Sequence, residues 1–240
     1  MSLVRVGTAG WTIPRAVADD FPAEGSGLAR YASRFPATEI NTSFYRPHRP
    51  ATYERWAGSV PDGFRFAAKL PRRITHELRL FGAEAELGRF LGEVRGLGDR
   101  LGPLLVQLPP SLAFEPAVVV AFLRALRGSH DGPVAFEPRH PGWFGGEADA
   151  LLREHRVARV AADPARAPGA DEPGGWPGFV YLRLHGSPAI YRSAYGPEQT
   201  DAVADRLASS RVETWCIFDN TASGAAASDA LLLVEQLGRR

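Results

Sequence analysis

Two apolar rhythms alternate along the chain. Short runs with apolar residues at every second position, or at all of them, read as strands; longer stretches with apolar residues three and four apart read as helices with one buried face. Strand patterns lie at 3–7, 37–41, 64–71, 103–109, 134–139, 158–163, 179–186 and 213–220. Helical patterns lie at 26–35, 50–57, 77–101, 117–126, 147–155, 198–209 and 225–237. Ser26 is placed to cap the first helix and Pro50 to open the second. The run at 103–109 is apolar apart from Gln107, as expected of a parallel strand covered on both faces. Residues 164–177, dense in Pro, Gly and Ala, form the one long irregular connection, either a surface loop or a lid. Eight strand patterns alternating with helices, without a GxGxxG or Walker loop, predict a single-domain α/β protein, a TIM-type (β/α)8 barrel.

The polar residues gather where the strand patterns end. Period two puts Ala135, Glu137 and Arg139 on one face of the fifth strand, with Val134 and Phe136 on the other; Pro141 and Gly142 stop the run after His140. Lys69 shares a face with Arg65 and Ala67, Glu39 with Asn41, and Tyr181 with Arg183 and His185. Asp163 ends the sixth pattern and Asp219-Asn220 the eighth, while Tyr45, His76 and Gln107 lie at or just past strand ends. In a parallel barrel the C-terminal ends of the strands form the mouth that binds and reacts. The same charges could also neutralise one another as a layer of ion pairs, although enclosing several charges is costly.

Composition narrows the partners. A chain of 240 residues, 45% hydrophobic, suits one barrel domain. The formal net charge is +1 with acids and bases interleaved, so nucleic acid is not an expected partner. Cys216, the only cysteine, lies in an apolar run and reads as a buried small hydrophobe. No leader precedes the first strand and no apolar run could span a bilayer, which predicts a soluble, cytoplasmic protein. Lys69 is the only lysine beside 27 arginines, and Asn41 and Asn220 are the only asparagines. Under such a bias the survivors are expected where substitutes fail.

The stretches Val6-Gly-Thr-Ala-Gly-Trp11, Glu39-Ile-Asn-Thr-Ser-Phe-Tyr45, Phe66-Ala-Ala-Lys69 with Thr75-His76, Phe136-Glu-Pro-Arg-His140, Arg183-Leu-His-Gly186 and Phe218-Asp-Asn-Thr221 resemble, in order, those of the DUF72 (YecE-like) family. The resemblance spans nearly the whole chain. It implies a TIM-type barrel and a site at these residues, and leaves the reaction open. The chain departs from the family pattern at residues 12–22, where members carry an aromatic-rich stretch, and at Asp219-Asn220, where Asn-Asn is common.

Three chemistries fit these residues. The first is acid/base catalysis on a small, oxygen-rich, anionic substrate. Arg139 and Arg183 would clamp a carboxylate or phosphate, Glu39 or Glu137 act as base, and His185 as acid or proton shuttle. Lys69 would neutralise an oxyanion or form a Schiff base, and Asn41, Tyr45, His76, Gln107, His140, Asp163, Asp219 and Asn220 would contact the substrate. Hydrolysis of a glycosidic bond by Glu39 and Glu137 is a variant. The second is metal-assisted hydrolysis, nuclease-like chemistry included, with Glu39, Glu137, Asp163, His185 and Asp219 as ligands. Lys69, Arg139 and Arg183 would repel that cation, so neither metal nor cofactor is expected. The third is a binding protein without turnover. Trp11, Tyr45 and Trp143 are candidates for a stacking wall over a ring-shaped substrate.

Overall fold

Alternation of strand and helix carries through the computed structural model, which describes residues 3–240. Its strands are β1 (Val4–Thr8), β2 (Ala37–Ile40), β3 (Arg65–Lys69), β4 (Leu101–Gln107), β5 (Val134–Glu137), β6 (Val157–Arg159), β7 (Ala161–Asp163), β8 (Gly174–Gly175), β9 (Val180–Leu184) and β10 (Thr214–Phe218). Its α-helices are α1 (Gly27–Ala32), α2 (Thr42–Tyr45), α3 (Pro50–Ala57), α4 (Glu84–Val94), α5 (Pro116–Arg127), α6 (Gly146–Glu154), α7 (Pro197–Ala208) and α8 (Ala225–Gly238). One sheet runs β2-β3-β4-β5-β6, all parallel, with β8 antiparallel on β6; the other runs β1-β10-β9-β7, all parallel. The chain is therefore an α/β protein built on parallel sheets. Among the described residues no helix is long and apolar enough to cross a membrane.

The two sheets meet along two seams. The pattern at 158–163 predicts one strand, but its first half pairs with β5 and its second with β9, and between them Val160 N donates to Phe136 O at 2.8 Å. At the other seam Ala9 bridges Glu39, and Gly10 N donates to Glu39 O at 2.8 Å. Just before that bridge the backbones of β1 and β2 crowd together. A Cβ on Gly7 would stand 2.1 Å from Ala37 O, so only glycine fits. The fully buried Tyr31 of α1 fastens this seam, its hydroxyl accepting from Thr8 N at 2.8 Å and donating to Ala37 O at 3.1 Å. Burial pushes that phenol up to about 12. Tyr31→Phe should cost about 2 kcal/mol, because it strands a buried N–H and C=O. The expected result is a lower urea midpoint with an unchanged m-value; an unmoved midpoint would mean the seam does not need the hydroxyl.

Strand alternation sorts side chains into two cores. Val6, Phe66, Leu104, Phe136, Leu182 and Phe218 pack with helix residues such as Leu87, Phe90, Leu123 and Leu233. Ala37, Ala67, Leu105, Ala135, Ala158 and Val160 face a second core, in which small side chains leave room for Phe179, Tyr181 and Trp215. The last two stack with ring centroids 6.0 Å apart. Helix α5 shows why such segments form. Pro116 occupies its first turn, and Val119, Phe122, Leu123 and Leu126, at i, i+3, i+4 and i+7, are all buried.

Three expected boundaries move. The helix predicted at 77–101 starts only at Glu84, because Arg79, Leu80 and Gly82 adopt left-handed φ of 52°, 70° and 57°. It ends in a tighter turn broken at Gly98, so β4 begins at Leu101 rather than 103. Pro103, which cannot donate to a ladder, falls where the β3–β4 register shifts. The segment 164–177 is tied to β6 and β7 by hydrogen bonds. Ala162 N donates to Ala170 O at 2.7 Å, Arg159 Nη1 to Gly169 O at 2.9 Å, and Trp176 N to Val157 O at 2.8 Å. Trp176 packs against the inner core beside the N-terminal end of β6.

Candidate active site

The inward residues at the ends of β2, β5, β9 and β10 converge on one guanidinium. Arg183, fully buried, donates from Nε to Glu39 Oε2 at 3.0 Å and from Nη2 to Glu39 Oε1 at 2.8 Å. Its Nη1 donates to Glu137 Oε2 at 2.5 Å, and Nη2 also to Asp219 Oδ2 at 2.9 Å. Tyr181 donates its hydroxyl to Glu39 Oε2 at 2.9 Å. Two residues beyond Arg183, and so on the same face, His185 lies between carboxylates, with Nδ1 3.0 Å from Asp219 Oδ2 and Nε2 3.1 Å from Glu137 Oε1. Toward the opening, Arg139 donates from Nε and Nη2 to Glu137 Oε1 at 3.0 and 2.9 Å and reaches the Tyr191 hydroxyl at 3.3 Å.

Opposite charge, not solvation, sets the electrostatics here. Burial alone would raise Glu137, yet Arg183, then Arg139 and His185, hold it well below the usual carboxylate range. Asp219 falls to about 2: burial opposes its ionisation, and Arg183 together with the hydrogen bond from His185 overcomes burial. Arg183 is itself held well above its ordinary value, because Asp219, Glu39 and Glu137 outweigh its desolvation. Lys69 is the exception. It is 5% exposed, its Nζ lies 4.4 Å from the centre of the Phe44 ring, and among the described residues it has no hydrogen-bond acceptor. Burial, then repulsion from Arg183, brings it down to about 8 against the pull of Glu39, Asp219 and Glu137.

The model of the family described as "Protein of unknown function DUF72" matches residues 5–240. The chain belongs to the DUF72 family. UPF0759 protein YecE of Escherichia coli K12 is 31% identical over 169 residues, 67% of this chain and 59% of YecE, so the matched stretch spans less than two thirds of that relative. The crystal structure of a DUF72 protein from Thermotoga maritima superposes with a TM-score of 0.79 at 26% identity, covering 98% of this chain and 99% of the other. Outside the family, 3-keto-D-glucoside 4-epimerase YcjR of E. coli has a TM-score of 0.57 at 13% identity, covering 97% and 98%, which shows a shared fold.

Within this DUF72 protein the residues singled out in the sequence separate into two groups. Glu39, Lys69, Gln107, Glu137, Arg139, Arg183, His185 and Asp219 stand on one face of the strands, and Asn41 joins them through a 3.4 Å contact from Nδ2 to Asp219 Oδ1. His76 sits at the edge, its Nδ1 2.8 Å from Thr75 Oγ1; it is lowered chiefly by partial burial and then by Arg72, Lys69 and Arg139. His140, Asp163 and Asn220 lie elsewhere. His140 Nδ1 accepts from Gly142 N at 3.1 Å and caps a turn. Asp163 accepts from the Tyr195 hydroxyl at 2.7 Å, and Asn220 Nδ2 donates to Ser193 O and to Asp229 of α8. Strand parity gives the reason. Each directly follows an inward residue, respectively Arg139, Ala162 and Asp219, and so points away from that face.

The stacking wall does not assemble. Trp143 is buried against Phe114 and Phe136 and donates to Leu112 O, Trp11 packs edge-on to Trp56 and Phe66, and Tyr45 stands 77% exposed on the rim. The clamp expected of Arg183 is already closed, since all three of its nitrogens serve protein carboxylates. One aromatic at the mouth escapes the sequence pattern. Tyr191, 37% exposed, sits in the left-handed region at φ 67°, its ring edge-on to His185 at 5.7 Å and its hydroxyl on Arg139. It lies in the loop after β9 and follows no period that could mark it. A non-glycine residue held at positive φ is a constraint read only from the backbone.

Proposed function

We propose that the chain is an enzyme performing acid/base chemistry on a small, oxygen-rich, anionic molecule. The site lies at the C-terminal ends of its strands, which close into one eight-stranded barrel with β6 and β7 acting as a single strand. One observation carries this reading. In a cluster whose other charges are paired, the single lysine keeps a buried amine with no hydrogen-bond acceptor among the described residues. An ion-pair layer of purely structural purpose would pair it. Burial also moves Lys69 toward neutrality, where a group both gives and takes protons effectively. Glu39, enclosed by Arg183 and Tyr181, positions Arg183; Glu137, Asp219 and His185 form a hydrogen-bonded polar wall beside it. A cation bound among these carboxylates would have to displace Arg183, so the metal-assisted reading gains no support from this arrangement. The fold shared with a sugar epimerase is an analogy in keeping with proton transfer next to a carbonyl group.

Incubation in deuterium oxide with a panel of small hydroxy and oxo acids and ketoses tests the proposal. The folded protein should place deuterium on carbon beside the carbonyl in at least one of them, and Lys69→Arg, which keeps the charge but not the proton exchange, should not. Exchange that persists in a folded Lys69→Arg protein would remove Lys69 from the chemistry, and no exchange in any member of the panel would overturn the reading.

A further inference from the structure

We infer that Gln107 is the side chain with which this site selects its substrate, and that the substrate presents a hydroxyl beside a carbonyl or carboxylate. The inference rests on the site proposed above and names what fills it. Gln107 closes β4 in register with Glu137, and its strand neighbour Lys69 pairs with Leu105, one inward step below it. The residue is 6% exposed, yet its amide makes no hydrogen bond among the described residues. Neither the amide nor Nζ of Lys69 is among the fully enclosed unpartnered atoms, so both tips remain within reach of solvent or a ligand. An amide held this deep with no protein partner is left to bond water or a ligand.

Among the described residues no neighbouring group is that partner. Glu137 already accepts from Arg139 twice and from His185 on Oε1, and from Arg183 on Oε2. Two free groups of different character therefore stand side by side. Lys69 as an ammonium only donates, which suits an oxygen that brings no proton, a carbonyl or carboxylate. Gln107 offers a donor and an acceptor on one planar amide, which suits a hydroxyl, itself both. A phosphate fits less well. It favours guanidinium forks, and those of Arg139 and Arg183 serve the carboxylates.

Glycolate and acetate, which differ only in the hydroxyl, separate the two contributions by ligand-observed NMR. The protein should bind glycolate about tenfold more tightly than acetate, the worth of one hydrogen bond to a buried amide. Gln107→Met should bring that ratio to about one while leaving acetate unchanged, and Gln107→Asn, smaller but still an amide, should keep a reduced preference. Lys69→Met should weaken both acids. Circular dichroism and unfolding midpoints establish that each variant is folded. If Gln107→Met keeps the full glycolate preference, the assignment of Gln107 is wrong while the site reading stands. If Lys69→Met also leaves both acids bound, the site reading falls with it. Inorganic phosphate binding more tightly than glycolate would overturn the substrate class.

Discussion

Arg183→Met is expected to lower the free energy of unfolding at pH 8 by about 3–5 kcal/mol, the usual consequence of removing one member of a buried charge group. The guanidinium bonds Glu39, Glu137 and Asp219 at once, and all three stay buried when it is gone. The pH dependence of the two proteins should differ. In the native protein Glu137 and Asp219 titrate below their ordinary values of 4.5 and 3.8, Asp219 at about 2. Carboxylates depressed in this way contribute stability that is complete above the ordinary values and is lost as the pH falls through the folded ones. The native protein should therefore weaken progressively from about pH 4.5 toward pH 2. Without Arg183 burial loses its largest opponent and the folded values rise, so Arg183→Met should fall short of the native protein by less at pH 5 than at pH 8. Urea midpoints at pH 8, 6 and 5 measure both. Equal pH profiles for the two proteins would show that Arg183 is not what keeps these carboxylates ionised. Arg183→Lys should recover part of the loss, because one ammonium cannot span three carboxylates.

Gly7→Ala should cost about 3 kcal/mol or more, at the severe end of overpacking. The added methyl would meet Ala37 O at 2.1 Å and Ala37 C at 2.8 Å, backbone atoms that no rotamer change can move. Relief requires β1 and β2 to part, which breaks the Tyr31 fastening and disturbs the Ala9 to Glu39 bridge directly above. Glu39 is the residue that orients Arg183, so the damage should reach the site as well as the fold. Gly10→Ala is the informative partner. Gly10 has φ 80° but nothing within 4 Å of an added Cβ, so it should lose only the roughly 1–2 kcal/mol of left-handed strain. Thermal and urea unfolding of the two variants should rank Gly7→Ala far below Gly10→Ala. The reverse order would place the strain in the turn and not at the seam.

The alternation in β3, β5 and β9 was legible because a strand has period two. Once Ala135 is assigned inward, Glu137 and Arg139 must follow, and the apolar partners Val134 and Phe136 must meet the helices. The same rule was enough to turn His140, Asp163 and Asn220 outward, and nearness to a strand end proved the weaker guide. Resemblance in six ordered motifs was likewise sufficient to identify the family, since each motif falls at the end of a strand pattern.

By itself, then, the sequence determined the parallel α/β plan, the shared face of Glu137 with Arg139 and of Arg183 with His185, and the single lysine among arginines. Only the tertiary structure decided which of those polar residues are occupied. Arg183 meets Glu39 from 144 positions away and Glu137 from 46, and Arg139 meets Tyr191 across 52. Such partners are chosen by distances between strands and loops that no local period encodes. Arg183, expected to grip a substrate, is consumed by the protein, while Lys69 and Gln107 are left open. The physical reason is hydrogen-bond capacity. Three carboxylates in one enclosed space take up every nearby guanidinium, and what remains free for a ligand is the remainder of that packing.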